Sequence, residues 1–240
     1  FLMVPVGLIL SAMCFWQREP REGGSIPQRP LATRRDYLQL IKTPSFVANV
    51  AAQTAMTFAI GGLSVWAPTY LHETHGVPVA QVDLIFGALL ALAGLSATLA
   101  GGRLADRLKS RFAGAYFLVA GVGMLLAFPM TAAMLFLPLP IAWVPIFLAM
   151  FFLFMNIGPA NTAMANVTSP SVRSTAFAVN ILVIHLFGDA ISPWVIGVIK
   201  DRSTWEAAFL SVSCVMLLAG VIWIVSMPKL VRDLQAVEAA

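Results

Sequence analysis

"FAGAYFLVAGVGMLLAFPMTAAMLFLPLPIAWVPIFLAMFFLFMNIGPANTAMANVTSPSV", Phe112 to Val172, contains no Asp, Glu, Lys, Arg or His. One membrane span needs about 20 mostly apolar residues, and this stretch is roughly three times that length. It therefore holds two helices, broken at Pro138-Leu139-Pro140. The rest of the chain agrees. Of its 240 residues 59% are hydrophobic and 11% charged, where soluble domains carry about 25% charged. Segments of about ten residues with period-2 alternation, the mark of a membrane β-barrel, do not occur. The expected class is an all-α membrane protein.

Outward from that stretch, apolar spans are expected at about Phe46–Leu71, Val82–Gly101, Ala113–Leu137, Ile141–Ala165, Thr175–Ile199 and Trp205–Met227. Phe1 to Trp16 is apolar but short for a crossing, and reads as the tail of a truncated helix. A signal peptide is the rival reading; it lacks a basic n-region and a small-residue cleavage site. The domain plan is thus a truncated helix over 1–16, a cytoplasmic linker over 17–45, a six-helix bundle over 46–227 and a cytoplasmic tail over 228–240. Cys14 and Cys214 fall in different spans, which provides neither a disulfide framework nor a metal-ligand set.

Orientation follows from the basic residues, which concentrate in cytoplasmic loops. Thirteen of the fifteen Lys and Arg fall on one side, and only Lys200 and Arg202 on the other. The linker, the turn near Arg107, the turn before Arg173 and the C-terminus are accordingly cytoplasmic, in a multi-pass protein of the plasma (inner) membrane. The linker is rich in Pro and Gly, which makes it flexible. At its end Thr33-Arg34-Arg35-Asp36 matches a capping box, and Tyr37, Leu38, Leu40 and Ile41 form an apolar face, which predicts a short interfacial helix. The basic balance belongs to topology and to membrane lipids, not to nucleic acid.

Two polar constellations stand out. "GGRLADRLKSR", Gly101 to Arg111, carries Gly102, Asp106, Arg107 and Arg111 as G-x3-D-R-x3-R at a cytoplasmic turn. Glycine lets helices approach closely there, and Asp can accept from a helix N-terminus or pair with Arg. The structural alternative is a positive-inside turn with one incidental Asp. The second is His185 and Asp189, four residues apart on one helix face, with Ser192 following. Ionisable groups at membrane depth cost a few kcal/mol and normally face a bundle interior or a watery cavity. Histidine is also the side chain that changes charge nearest ambient pH. The structural alternative is that Asp189 only orients His185 while the pair packs its helix.

Together with "NIGPANTAMANVTSPSVRSTAFAVNILVIHLFGDAISPWVIGVIKDR", Asn156 to Arg202, these motifs resemble the major facilitator superfamily. The first is similar to its loop motif between the eighth and ninth helices, departing from it at Lys109 and Ser110. The G-P-A-N segment, the P-S-x-R-S-T-A turn and H-x2-G-D-A-x-S-P resemble the tenth and eleventh helices of the spinster-like branch. The resemblance implies a six-helix C-terminal half, a missing N-terminal six-helix half as partner, and a secondary transporter. Its substrate would be an amphipathic lipid, a lysophospholipid or sphingoid lipid, with proton coupling; a small organic anion stays open. Position at membrane depth leads to the expectation of a substrate or proton pathway through His185, Asp189, Gln53, Asn156, Asn161 and Asn180. The implied cytoplasmic gate comprises Gly102, Asp106, Arg107, Arg111 and Arg173.

Gln53 lies on a polar row with Asn49 and Thr57 that reaches Gly61 and Ser64, and Asn156 and Asn161 flank the helix-breaking Gly158-Pro159. Each is either a cavity wall or interhelical glue. No cofactor is implied. A membrane-embedded enzyme and a non-transporting scaffold are the rival classes; against the enzyme, no nucleophile, Gly-rich phosphate loop or second carboxylate cluster accompanies H-x3-D.

Overall fold

The computed structural model describes residues 3–16 and 33–238. The chain divides into two compact units, 1–31 and 32–240. Of the first, α1 (Met3–Cys14) is an apolar helix where the truncated span was expected. The linker expected from Gln17 lies, through residue 32, outside the described residues.

The second unit is entirely helical among the described residues. A short α2 (Arg34–Lys42) precedes α3 (Pro44–His75), α4 (Val79–Lys109), α5 (Ala115–Phe136), α6 (Trp143–Phe154), α7 (Ile157–Asn166), α8 (Arg173–Ile184), a π turn at His185–Asp189, α9 (Ser192–Arg202), α10 (Trp205–Val225) and α11 (Met227–Glu238). With α6–α7 and α8–α9 each taken as one interrupted span, six helices are long and apolar enough to cross a membrane. Each expected span is present, within a few residues at most ends. The exceptions are α3 and α4, which run several residues further.

Local chemistry sets the helix ends. The Asp36 carboxylate accepts from the Thr33 amide at 2.7 Å and from its hydroxyl at 2.8 Å, closing the N-terminus of α2 as its capping pattern predicts. Leu40 is buried in the bundle while Tyr37, Leu38 and Ile41 stay exposed, an apolar strip beside the end of the first span. The segment expected as a tail is α11, whose Leu230 is fully buried. Its Asp233 accepts from the Ser45 amide at 2.9 Å, satisfying one of the unpaired donors at the start of α3.

The core lies along α10, which packs on α5 and α3, and along α5 against α6. Trp223, Phe209, Met216, Phe117 and Met124 fill it. Two spans are only lightly covered. Within the chain 22% of the apolar window of α4 and of α8–α9 is buried, against 44–56% in the other four, so these two helices present open faces. At the end of the bundle opposite α2 and α11, Trp205 donates to Glu73 at 3.0 Å, and the Lys200 ammonium sits 5.2 Å from the Trp205 ring and 4.0 Å from the Glu73 carboxylate. One of the two basic residues on the minority side is thus already engaged by an acid and an aromatic face.

Candidate functional site

The span Arg173–Arg202 is not one continuous α-helix as its hydropathy suggests. Pro193 has no amide to offer the Asp189 carbonyl. Just before it the helix widens, with the Ala190 amide reaching back five residues to His185 O at 3.0 Å. Gly188 lets the widened turn press onto α3, since a Cβ there would come within 3.1 Å of Phe58 N, Thr57 Cβ and Thr54 O. Single π turns of this kind are frequent at functional sites.

This turn carries the ionisable pair. His185 Nδ1 stands 2.5 Å from Asp189 Oδ2, with the carboxylate accepting, and the two side chains are 59% and 37% exposed. The pair therefore lies on the open face of a lightly covered helix, about midway along its span. The other carboxylate oxygen, Asp189 Oδ1, is turned inward and has no hydrogen-bond partner. A Cβ on Gly61 of α3 would stand 2.7 Å from that oxygen and 3.0 Å from Ser192 Oγ, so only glycine admits both groups at this contact.

Further along the α3–α8 contact, Asn180 Nδ2 donates to Gln53 Oε1 at 3.3 Å. Two sequence-predicted site residues thus meet across two helices. One turn back, Asn49 is tied elsewhere, donating to Ala160 O at 2.9 Å and accepting from Trp223 Nε1 at 2.8 Å. That contact joins α3, α7 and α10 and is interhelical glue.

Asn156, expected on a cavity wall, is instead completely buried in the break between α6 and α7. It donates to Leu153 O at 2.5 Å and lies 3.7 Å from the Met124 sulfur of α5. Pro159 leaves the Met155 carbonyl without its helical amide, so polar side chains collect at the break. Asn161 is half-buried on α7.

The G-x3-D-R motif is also placed differently from the turn expected. The α4 helix continues to Lys109, so Gly102, Asp106 and Arg107 occupy its last turns, and the turn begins only at Ser110. Gly101 faces the break in α6–α7, where a Cβ would overlap the freed Met155 carbonyl, whereas Gly102 has nothing within 4 Å of where its Cβ would be. Asp106 accepts from the Tyr116 hydroxyl at 3.1 Å. Arg107 and Arg111 are exposed. Arg173 donates to Thr168 O at 3.3 Å and does not pair with Asp106. Sequence reading missed Tyr116 as the partner of Asp106, since a hydroxyl at the start of an otherwise apolar span signals nothing by itself. No group of three His, Cys, Asp or Glu able to hold a metal occurs among the described residues.

The family model of the Major Facilitator Superfamily matches residues 1–193. The chain belongs to the major facilitator superfamily. Within it, the chain is 34% identical over 212 residues to "Protein spinster homolog 1" of Rattus norvegicus, covering 80% of this chain and 39% of the relative. It is 33% identical over 227 residues to the protein of that name from Xenopus laevis, covering 84% and 42%. With "Probable sphingolipid transporter spinster homolog 3" of Arabidopsis thaliana it shares 29% over 197 residues, covering 80% and 37%. The chain thus spans about two fifths of the length of these curated relatives. Among solved structures it is similar to a bacterial homologue of the human lysosomal transporter spinster. In the inward-facing, unoccupied form the TM-score is 0.74 at 20% identity, covering 94% of this chain and 57% of the other. In the occupied form it is 0.60 at 22%, covering 95% and 55%. These likenesses establish a spinster-like superfamily fold.

Proposed function

We propose that this chain is the C-terminal half of a secondary transporter that moves an amphipathic lipid, of the lysophospholipid or sphingoid class, by alternating access and couples that movement to protons. The observation that carries the reading is the His185–Asp189 pair, held on an open helix face at mid-span with its carboxylate seated against Gly61. Ionisable groups at such depth mark substrate and proton paths. A second observation favours a lipid. Between α3, α4, α5 and α6 lies a small crevice of about 40 Å³, lined by Leu63, Ala67, Phe86, Leu90, Met134 and Met150. Its lining is almost wholly apolar, the chemistry that an alkyl chain prefers. The name of the Arabidopsis relative points the same way.

In this reading the open faces of α4 and α8–α9 meet an N-terminal six-helix half, and a shared site near the midplane opens to either side as the halves rock. Asp106 and Arg173, with Gly102, Arg107 and Arg111, then belong to a cytoplasmic gate. The excess of basic residues supports a cytoplasmic C-terminus, and this reading takes the membrane to be the plasma (inner) membrane.

Flux through the complete transporter in liposomes tests the proposal. A fluorescent lysophospholipid or sphingoid base should move in a manner that depends on the pH difference. Movement of a small organic anion in its place would reassign the substrate, and chemical conversion of the lipid without flux would replace transport by an enzyme activity.

A further inference from the structure

The last helix crosses the end of the bundle instead of leaving it. Met227 of α11 lies at the start of α5, where a Cβ on Gly114 would stand 3.3 Å from Met227 Cβ, and further along α11 Asp233 holds the Ser45 amide at the start of α3. The helix rises about 9 Å between Met227 and Asp233, the distance between packed neighbours, so α11 runs from one helix end to the next. The turn at Ser226 thus makes an elbow between the membrane-spanning α10 and an α11 that lies at the membrane boundary.

That elbow holds a groove of about 550 Å³. Phe112 from the α4–α5 turn, Ile224 and Val225 from α10 and Val231 from α11 form apolar walls, and Arg232 and Gln235 form a polar edge. Val225 also ends an exposed stripe with Leu218 and Val221 on one face of α10. The stripe runs roughly 10 Å along the helix, against the about 15 Å that the hydrocarbon of one leaflet occupies. The groove therefore opens onto an apolar track into the leaflet.

Charge decides what fits. The Arg232 side chain is 67% exposed, and its two contacts with Asp233 Oδ1, at 3.4 and 3.5 Å, lie beyond the usual range of about 2.7–3.2 Å. The other oxygen of Asp233 is turned to Ser45, and no acid lines the groove. Arg111 adjoins Phe112, Lys229 adjoins Pro228, and both are exposed. An occupant needs an apolar chain and a headgroup of net negative charge, with oxygens that the guanidinium fork can bind.

We propose that the α10–α11 elbow is a binding site for an anionic phospholipid, whose phosphate rests on Arg232 and whose acyl chain lies in the groove and along Val225, Val221 and Leu218. A zwitterionic lipid brings an ammonium group for which the groove has no carboxylate. None of the lining residues belongs to the proposed substrate path or gate, so the site does not rest on the transport reading.

Native mass spectrometry of the complete transporter, purified with equimolar phosphatidylglycerol and phosphatidylcholine, tests the site. The wild type should retain phosphatidylglycerol in preference. Arg232→Gln should lower that retention about fivefold, the effect of one basic charge at a membrane surface, and Arg232→Lys should lose less. Arg34→Gln removes an exposed charge on α2 at the same end of the bundle and should change nothing. Val231→Trp fills the groove with every charge intact and should also release the lipid. Equal retention of both lipids by the wild type, equal losses in Arg232→Gln and Arg34→Gln, or full retention by a monodisperse Val231→Trp would each overturn the proposal.

Discussion

At the scale of single residues, neighbours in sequence carry different duties. Gly101 and Gly102 are adjacent, yet one faces the Met155 carbonyl and the other open space. The obstruction at Gly101 is a backbone oxygen that cannot rotate away, so Gly101→Ala should destabilise the bundle by about 1–3 kcal/mol, the usual cost of overpacking. Gly102→Ala meets nothing within this chain and gains helix propensity, so it should be neutral or slightly stabilising. Thermal unfolding of the purified variants in detergent checks both, and equal losses would contradict the assignment. The motif alone, written with Gly102, pointed at the wrong glycine for packing inside this half. The Asn49, Gln53, Thr57 row was legible as one polar face. What was not legible is that Asn49 would be taken up by Trp223 and Ala160, because those partners lie 174 and 111 residues away in sequence.

At the scale of elements, hydropathy located all six spans, since burying a backbone in hydrocarbon requires long apolar helices and little else. Interruptions inside the spans were only half legible. Pro159 and Pro193 announce that a carbonyl will lose its amide, but the outcome depends on what packs there. In α6–α7 the freed carbonyl is met by Gly101, while in α8–α9 the helix widens into a π turn because Gly188 can press against Thr54 and Phe58. The terminal helix α11 was read only as a tail. Its role lies in one long-range contact, the Asp233 carboxylate on the amide at the start of α3. Asp233→Ala should cost about 1–2 kcal/mol, the range for losing a helix cap that also faces the positive end of the dipole. Asp233→Asn keeps an acceptor and should lose less. Chemical denaturation followed by tryptophan fluorescence reads the difference; equal losses would show that the hydrogen bond contributes nothing.

For the whole molecule, α4 and α8–α9 keep most of their apolar windows uncovered while carrying the Gly102 motif and the His185–Asp189 pair. Both polar constellations legible in the sequence thus fall on the two helices that the bundle leaves open. In a transporter made of two rocking halves, these are the surfaces that a second half would cover, and the chain alone would hold ionisable side chains toward lipid at a cost of a few kcal/mol. The account therefore expects transport only from this chain joined to, or reassembled with, an N-terminal six-helix half. Its central claim is that the pair at the π turn carries the proton that drives lipid movement. The most direct measurement is lysolipid uptake against pH for the wild type and His185→Ala, each normalised to monodisperse protein in liposomes. The account predicts that His185→Ala abolishes proton-dependent uptake or shifts its pH profile; an unchanged profile and rate per folded molecule would make the pair structural and contradict it.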